Sequence, residues 1–249
     1  MEIIDTFHFN NEIELLDLRV HILEDIVDKF IVKEADETFT RNPKKCLAAL
    51  YDHPKVFTHK VELPDGTPWE RDTYQKTAKV NLDEFGISSD ALIMMSDVDE
   101  MPSVEAIHRM TTELKYGMLC RFMQRPFQRF LNVEQIGQPW SGTRVCLAST
   151  YHLLNDGNFS HHMPAYSIGK GGWHWSFLGD TEMIIDKIKS YGHTQFNTPE
   201  TIRLIDERVA NSQDVLGRTF RFRTVDIDET YPVYIRENQD KLRHLIKLK

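Results

Sequence analysis

The chain has 249 residues, 41% hydrophobic and 27% charged, enough to bury the core of one large α/β domain and typical of a soluble globular protein. Its formal net charge of −8 argues against a nucleic-acid binder, and no apolar run approaches the ~20 residues of a membrane-spanning helix. Cys46, Cys120 and Cys146 form no C-x-x-C pair and read as free thiols; with no leader-like start after Met1, the expectation is a cytoplasmic protein.

Ile3 to Phe9 reads as a strand, and Ile13, Leu16, Val20, Leu23 and Val27 follow at helical spacing behind a cap at Asn10 or Asn11. Lys29 to Lys33 is a second strand, ending at Glu34-Ala35-Asp36. Strand, helix and strand in this order predict a βαβ unit and a parallel sheet. A short helix is expected over Pro43 to Tyr51 and a third strand over Val56 to Leu63. Pro64-Asp65-Gly66-Thr67-Pro68 is a turn, and Pro68 opens a helix predicted to continue until Gly86. Arg71, near its start, either reaches a phosphate or belongs to an ordinary polar face; Lys76 and Lys79 read as solvated.

Ala91 to Met95 is an apolar run that turns abruptly into Ser96-Asp97-Val98-Asp99-Glu100-Met101-Pro102. Such a run reads as a strand buried on both faces, and ligands in open α/β sheets bind beyond the carboxyl ends of such strands. If the chain stays extended, Asp97 and Asp99 point to one side and form a hard oxygen pair for Mg²⁺ or Mn²⁺. The competing reading is two solvated acids in a surface loop. Pro102 is expected in the first turn of a helix carrying Val104, Ile107 and Met110.

The second half reads as mixed or antiparallel. Strands are expected over Gly117 to Phe122, Phe127 to Val133 and Thr143 to Ala148, with loops over Gln135 to Gly142 and Asn155 to Ser160. Gly169-Lys170-Gly171-Gly172-Trp173-His174-Trp175-Ser176-Phe177 is a second chemical stretch. Its glycines admit close backbone approach to a ligand or positive φ, and aromatic faces suit sugar rings. His174 is either a third metal ligand or a hydrogen-bonded core residue, and Lys170 either meets an anion or is solvated. His161, His162 and His193 carry no assignment. Helices follow over Thr181 to Tyr191 and Pro199 to Asn211, and Tyr231 to Arg236 leads into a basic terminal helix.

Taken together, these stretches resemble glycosyltransferase family 17. The matching residues are Asp5-Thr6-Phe7 and Asn11-Glu12-Ile13-Glu14-Leu15-Leu16, then Asp28-Lys29-Phe30, Val32-Lys33-Glu34-Ala35 and Thr38-Phe39-Thr40. Tyr74-Gln75, the Ser96–Pro102 motif and Gly172-Trp173-His174 complete the set. The resemblance implies a GT-A-like fold: a Rossmann-type, mainly parallel α/β sheet flanked by helices with a mixed second half. It implies one domain over 1–249, with a nucleotide-binding half at 1–102 and an acceptor-side half with C-terminal helices at 103–249.

It further implies an inverting transfer of N-acetylglucosamine or a related hexose from a nucleotide sugar, UDP-linked by expectation, to a glycan hydroxyl. The implied metal, Mn²⁺ or Mg²⁺, sits on Asp99, with Asp97 at the ribose or metal and His174 completing the site. Asp97, Glu34, Arg71, Lys170 and Trp173 are the expected donor-binding residues, and Glu182 or Asp180 the expected base, Asp180 being alternatively a helix cap. Compared with the animal members, the sequence lacks an N-terminal anchor and a cysteine-bearing segment after the histidine, which favours a soluble microbial or viral type. The competing functions are a metal-dependent nucleotidyltransferase, for which the glycine-rich phosphate loop is missing, and a non-catalytic glycan-binding protein using Trp173 and Trp175.

Overall fold

The computed structural model describes residues 1–154 and 165–248. Its first half forms as the apolar spacing requires. Strand β1 (Ile3–Phe9), helix α1 (Ile13–Leu23) and strand β2 (Lys29–Glu34) make the βαβ unit, and β1 and β2 run parallel with Ile4 opposite Lys29. Strand β3 (Val56–Lys60), helix α2 (Pro68–Thr77) and strand β4 (Leu92–Asp97) follow. β3 pairs parallel with β2, and β4 pairs parallel with the other edge of β1. Successive side chains of β4 enter opposite cores: Leu92 and Met94 join Phe7, Leu16 and Trp175 on one face, while Ile93 and Met95 join Ile4, Ile31 and Cys146 on the other. Burial on both faces explains the unbroken apolar run.

The second half adds strand β5 (Glu100–Pro102), helix α3 (Val104–Glu113), and strands β6 (Cys120–Gln128), β7 (Val133–Ile136) and β8 (Trp140–Leu147). Helix α4 (Ala148–Tyr151), strands β9 (Tyr166–Ile168) and β10 (Gly172–Ser176) and helix α5 (Thr181–Ser190) come next. Helices α6 (Pro199–Arg203) and α7 (Ile205–Ala210), strand β11 (Arg221–Thr224) and helix α8 (Val233–Glu237) close the chain. The strand order is β11-β7-β6-β8-β4-β1-β2-β3, with β10 joining β5 and β6. β8 lies antiparallel between β4 and β6, so the sheet is parallel on one side of β4 and mixed on the other, as expected.

Several elements differ from expectation for identifiable reasons. The helix expected to reach Gly86 ends at Thr77 with Ala78 as its cap, where Lys33 Nζ donates to the carbonyls of Lys76 and Ala78, and Val80 N donates to the Tyr151 hydroxyl. Those tertiary partners replace helical ones, and Gly86 instead closes a separate 3-10 turn, Leu82–Phe85. The helix expected over Pro43 to Tyr51 shrinks to the turn Ala48–Leu50, and Pro102 lies in β5, leaving Ser103 as the cap of α3. Two expected strands merge into β6, and the loop expected over Gln135 to Gly142 is mostly the ends of β7 and β8. The helix over Pro199 to Asn211 divides at Leu204, and the basic terminus makes only a 3-10 turn at Arg243–Leu245. The expected Asn155–Ser160 loop, His161 and His162 lie outside the described residues. Cys120 and Cys146 are buried free thiols. Among the described residues, no helix is long and apolar enough to cross a membrane.

Candidate active site

The acidic motif sits where β4 emerges from the sheet. β4 ends at Asp97, Val98 and Asp99 make a tight turn, and β5 starts at Glu100. The turn is clamped from below by Arg19 of α1, which is fully buried. Its Nη1 donates to the carbonyls of Asp97 (3.2 Å), Val98 (3.2 Å) and Glu100 (2.8 Å). Its Nη2 donates to Ser96 Oγ at 2.7 Å. Because the chain turns instead of staying extended, Asp97 and Asp99 do not share one side as expected. They straddle the turn and meet different partners.

Asp97 faces β1 and α2. Its Oδ2 lies 3.1 Å from Lys76 Nζ, and its Oδ1 lies 3.2 Å from His8 Nδ1, out of line for a hydrogen bond. Lys76 also approaches Asp72 at 3.5 Å. Burial opposes the Lys76 charge, but Asp97 and Asp72 overcome it and raise its pKa. Burial lowers the pKa of His8. The amine of Lys33, buried just beneath, falls to a pKa of about 7 because burial and Lys76 outweigh the attraction of Asp97.

Asp99 faces β10 and α5. Its Oδ2 accepts from Lys187 Nζ at 3.0 Å, and Lys187 also pairs with Glu12 at 3.2 Å. Burial alone favours protonated Asp99, but Lys187 and His174 hold its pKa well below the usual carboxylate range. His174 Nε2 stands 3.6 Å from Asp99 Oδ1, a buried oxygen without a hydrogen bond. The imidazole stacks on Trp140 at 4.4 Å and 19°, and Trp140 Nε1 donates to Glu100 Oε1 at 2.7 Å. Glu100 is buried, and burial together with the Asp97 charge pushes its pKa up to about 8.

The open Asp99 oxygen and His174 nitrogen fit a divalent cation. Two donors each ~2.1 Å from one small ion stand about 3–4 Å apart. Asp97 is turned to Lys76 and His8 instead. Among the described residues, no three His, Cys, Asp or Glu side chains converge as a ready ligand set. A family model for glycosyltransferase family 17 matches residues 1–222, which include every group named above. The chain belongs to glycosyltransferase family 17. A search of curated proteins finds no match. Membership makes this protein a glycosyltransferase, with a sugar donor and an acceptor.

Of the positions expected to serve this family 17 site, the structure brings Asp97, Asp99 and His174 to one turn and places the others elsewhere. Glu34 is buried and accepts from Lys44 and from the backbone N–H groups of Leu47 and Ala48. It anchors the loop after β2 and faces inward. Arg71 is 1% exposed, pairs with Glu37 and donates to the Pro64 and Thr38 carbonyls, so it braces the loop before α2 and does not reach out to a phosphate. Lys170 is exposed in the β9–β10 loop. Trp173 is buried and stacks parallel on Trp175 at 5.7 Å.

The glycines here serve packing. A Cβ on Gly171 would stand 2.4 Å from that of Phe122, and one on Gly172 would stand 2.1 Å from the Met101 carbonyl oxygen. Asp180 caps α5 by accepting from Met183 N, and Glu182 is exposed in the first turn. Glu182 precedes Lys187 by five residues, ~140° around the helix and ~7.5 Å along it. The α5 residue at the acidic turn is therefore Lys187. Arg19, Lys187 and Trp140 are not among the expected site residues, Glu100 is quoted in the motif without a role, and Lys76 is expected to be solvated. The available signal was Glu100, inside the motif itself.

Proposed function

We propose that this family 17 protein is an inverting, metal-dependent transferase of GT-A type. It moves N-acetylglucosamine or a related hexose from a UDP-sugar to a glycan hydroxyl. The observation that carries the reading is the straddled acidic turn at the carboxyl end of the parallel strands, with Asp99 Oδ1 open toward His174. Residues 1–102 then supply most of the donor side and 103–249 most of the acceptor side. The divalent cation, Mn²⁺ or Mg²⁺, would be held by Asp99 and His174 and would supply charge neutralisation for the leaving diphosphate.

The chain's own groups do the rest. Lys76 and Lys187, now on Asp97 and Asp99, are the cations placed to exchange a carboxylate for a phosphate oxygen when donor arrives. Arg19 holds the turn so that both acids keep their positions. Trp140 fixes the imidazole plane by stacking, which keeps Nε2 directed at Asp99.

The test is a panel of nucleotide sugars assayed in EDTA and after addition of Mn²⁺ or Ca²⁺. Expected are release of a nucleoside diphosphate, loss of turnover in EDTA, recovery better with Mn²⁺ than with Ca²⁺, and an inverted anomeric product. Full activity after exhaustive chelation contradicts the metal role, and a retained anomer contradicts inversion.

A further inference from the structure

A cavity of about 320 Å³ opens between the start of α2 and the loop after α5, lined by Thr67, Pro68, Trp69, Gly192, His193, Thr194 and Gln195. Four observations define what it takes. First, Trp69 is 52% exposed on the first turn of α2, where a large apolar ring faces water unless a ligand covers it. Second, His193 leans on it at 4.6 Å and 52°. The two rings form a wedge with no room between them, so a ligand lies on the open face of Trp69. Third, among the described residues the lining holds no Asp, Glu, Lys or Arg, and burial lowers the His193 pKa. A neutral ligand with hydroxyl groups suits Thr67, Thr194 and Gln195; a phosphate does not. Fourth, Trp69, Asp72 and Lys76 are spaced i, i+3, i+7 on one stripe of α2, and Lys76 ends that stripe on Asp97. Trp69 is thus set about two helical turns, ~10 Å of backbone rise, before the residue that pairs with Asp97.

The loop that closes the cavity is seated by a close contact. A Cβ on Gly192 would fall 2.8 Å from Asp72 Oδ2 and 2.9 Å from its Cβ, so only glycine lets the loop after α5 settle on α2. Asn10 Nδ2 donates to Ser190 Oγ at 3.1 Å, and Thr40 donates to the Lys189 carbonyl at 3.1 Å, tying the same end of α5 to the loops after β1 and β2.

From this we infer that the Trp69–His193 cavity is an acceptor subsite: it seats a neutral sugar ring of the acceptor glycan on the face of Trp69, one unit or more from the reacting hydroxyl. The ring's apolar C–H face covers the indole, and its hydroxyls bond to Thr67, Thr194 and Gln195. The inference rests on the glycosyltransferase reading for the word acceptor, while the sugar binding is measurable without turnover.

The experiment uses the whole chain without donor. Mannose, galactose, glucose, N-acetylglucosamine and their β-linked disaccharides are titrated against it, with uridine as the rival ligand, by saturation-transfer NMR and indole fluorescence. Expected is binding of at least one saccharide, weakened about tenfold or more by Trp69→Ala and largely retained by Trp69→Phe. Unchanged melts for both variants, expected from the exposure of Trp69, exclude misfolding. Saccharide binding indifferent to Trp69→Ala overturns the proposal, as does no saccharide binding at all. Uridine binding that alone depends on Trp69 also overturns it, giving the cavity to the donor base. With donor added, Trp69→Ala should raise the acceptor KM. Wild-type protein that binds saccharide at Trp69 yet moves sugar from no nucleotide sugar of the panel to any acceptor would contradict the proposed transfer and leave the sugar site standing.

Discussion

Arg19 and Asp5 form a fully buried bidentate pair, with Nε to Oδ2 at 2.7 Å and Nη2 to Oδ1 at 2.8 Å. The remaining guanidinium donors hold the Asp97–Glu100 turn. A residue of the first helix therefore sets the shape of a motif nearly eighty positions later. Breaking one side of a buried pair strands the other charge and typically costs about 3–5 kcal/mol. Arg19→Met is expected to lower the unfolding free energy by about that much and to reduce turnover in the fraction that stays folded. Urea titration with parallel donor assays measures both, and a variant with wild-type stability would show that the turn needs no clamp.

Asp99→Asn preserves shape and leaves Lys187 paired with Glu12, so the fold is expected to persist. Metal-dependent donor turnover should fall by more than the ~10–100-fold typical of outer-shell partners. Wild-type turnover with Mn²⁺ present would contradict the proposed metal role of Asp99.

Much of the scaffold was legible because it rests on local patterning. β1 begins and ends where the sequence predicts, Ile3 and Phe9, since its apolar residues feed both cores. α2 stops early because Lys33 and Tyr151, from distant strands and helices, take over its last backbone groups, and no local pattern carries that. The acids after β4 were visible as candidates. Their divergence was not, because it is imposed by Arg19 from α1 and Lys187 from α5. Periodicity places both of those on helices without saying which carboxylate they meet.

Gly172 has φ +120°, and its missing Cβ would stand 2.1 Å from the Met101 carbonyl oxygen. Nothing in backbone can move that far without parting β10 from β5. Gly172→Ala is expected to destabilise the protein by several kcal/mol, roughly the range of severe core overpacking and backbone strain together. Thermal melts against Gly169→Ala, where a Cβ meets open space, supply the control; equal melting temperatures would discount the contact.

His174→Ala separates a ligand from a packing residue. Its side chain is 12% exposed, and its stacked partner Trp140 keeps the Glu100 hydrogen bond without it. Expected are a Mn²⁺ requirement shifted upward by at least the ~10–100-fold typical of outer-shell partners and a melting temperature little changed in EDTA. A clearly lower melt with the Mn²⁺ requirement intact would make the imidazole structural and leave the cation with Asp99 alone.

Lys33 links stability to pH. Its folded-state pKa of about 7 lies below the ordinary lysine value of 10.5. Between these values the folded protein holds a neutral amine while the unfolded chain binds a proton, so this group makes stability rise with pH across that window. Below about pH 7 the amine is charged in both states, and the full cost of a buried ammonium is present. The groups facing it are Asp97, which attracts the charge, and Lys76, which repels it; buried His8 and half-buried His59 stand nearby. Lys33→Met removes the titration but also the donor to the Lys76 and Ala78 carbonyls, a loss that does not depend on pH. The signature is therefore a difference of slopes. Wild-type stability minus that of Lys33→Met should climb from about pH 7 to pH 10 and level off on either side. Urea unfolding at stepped pH reads this directly, and a difference that stays flat across the window would mean that Lys33 remains charged in the folded protein.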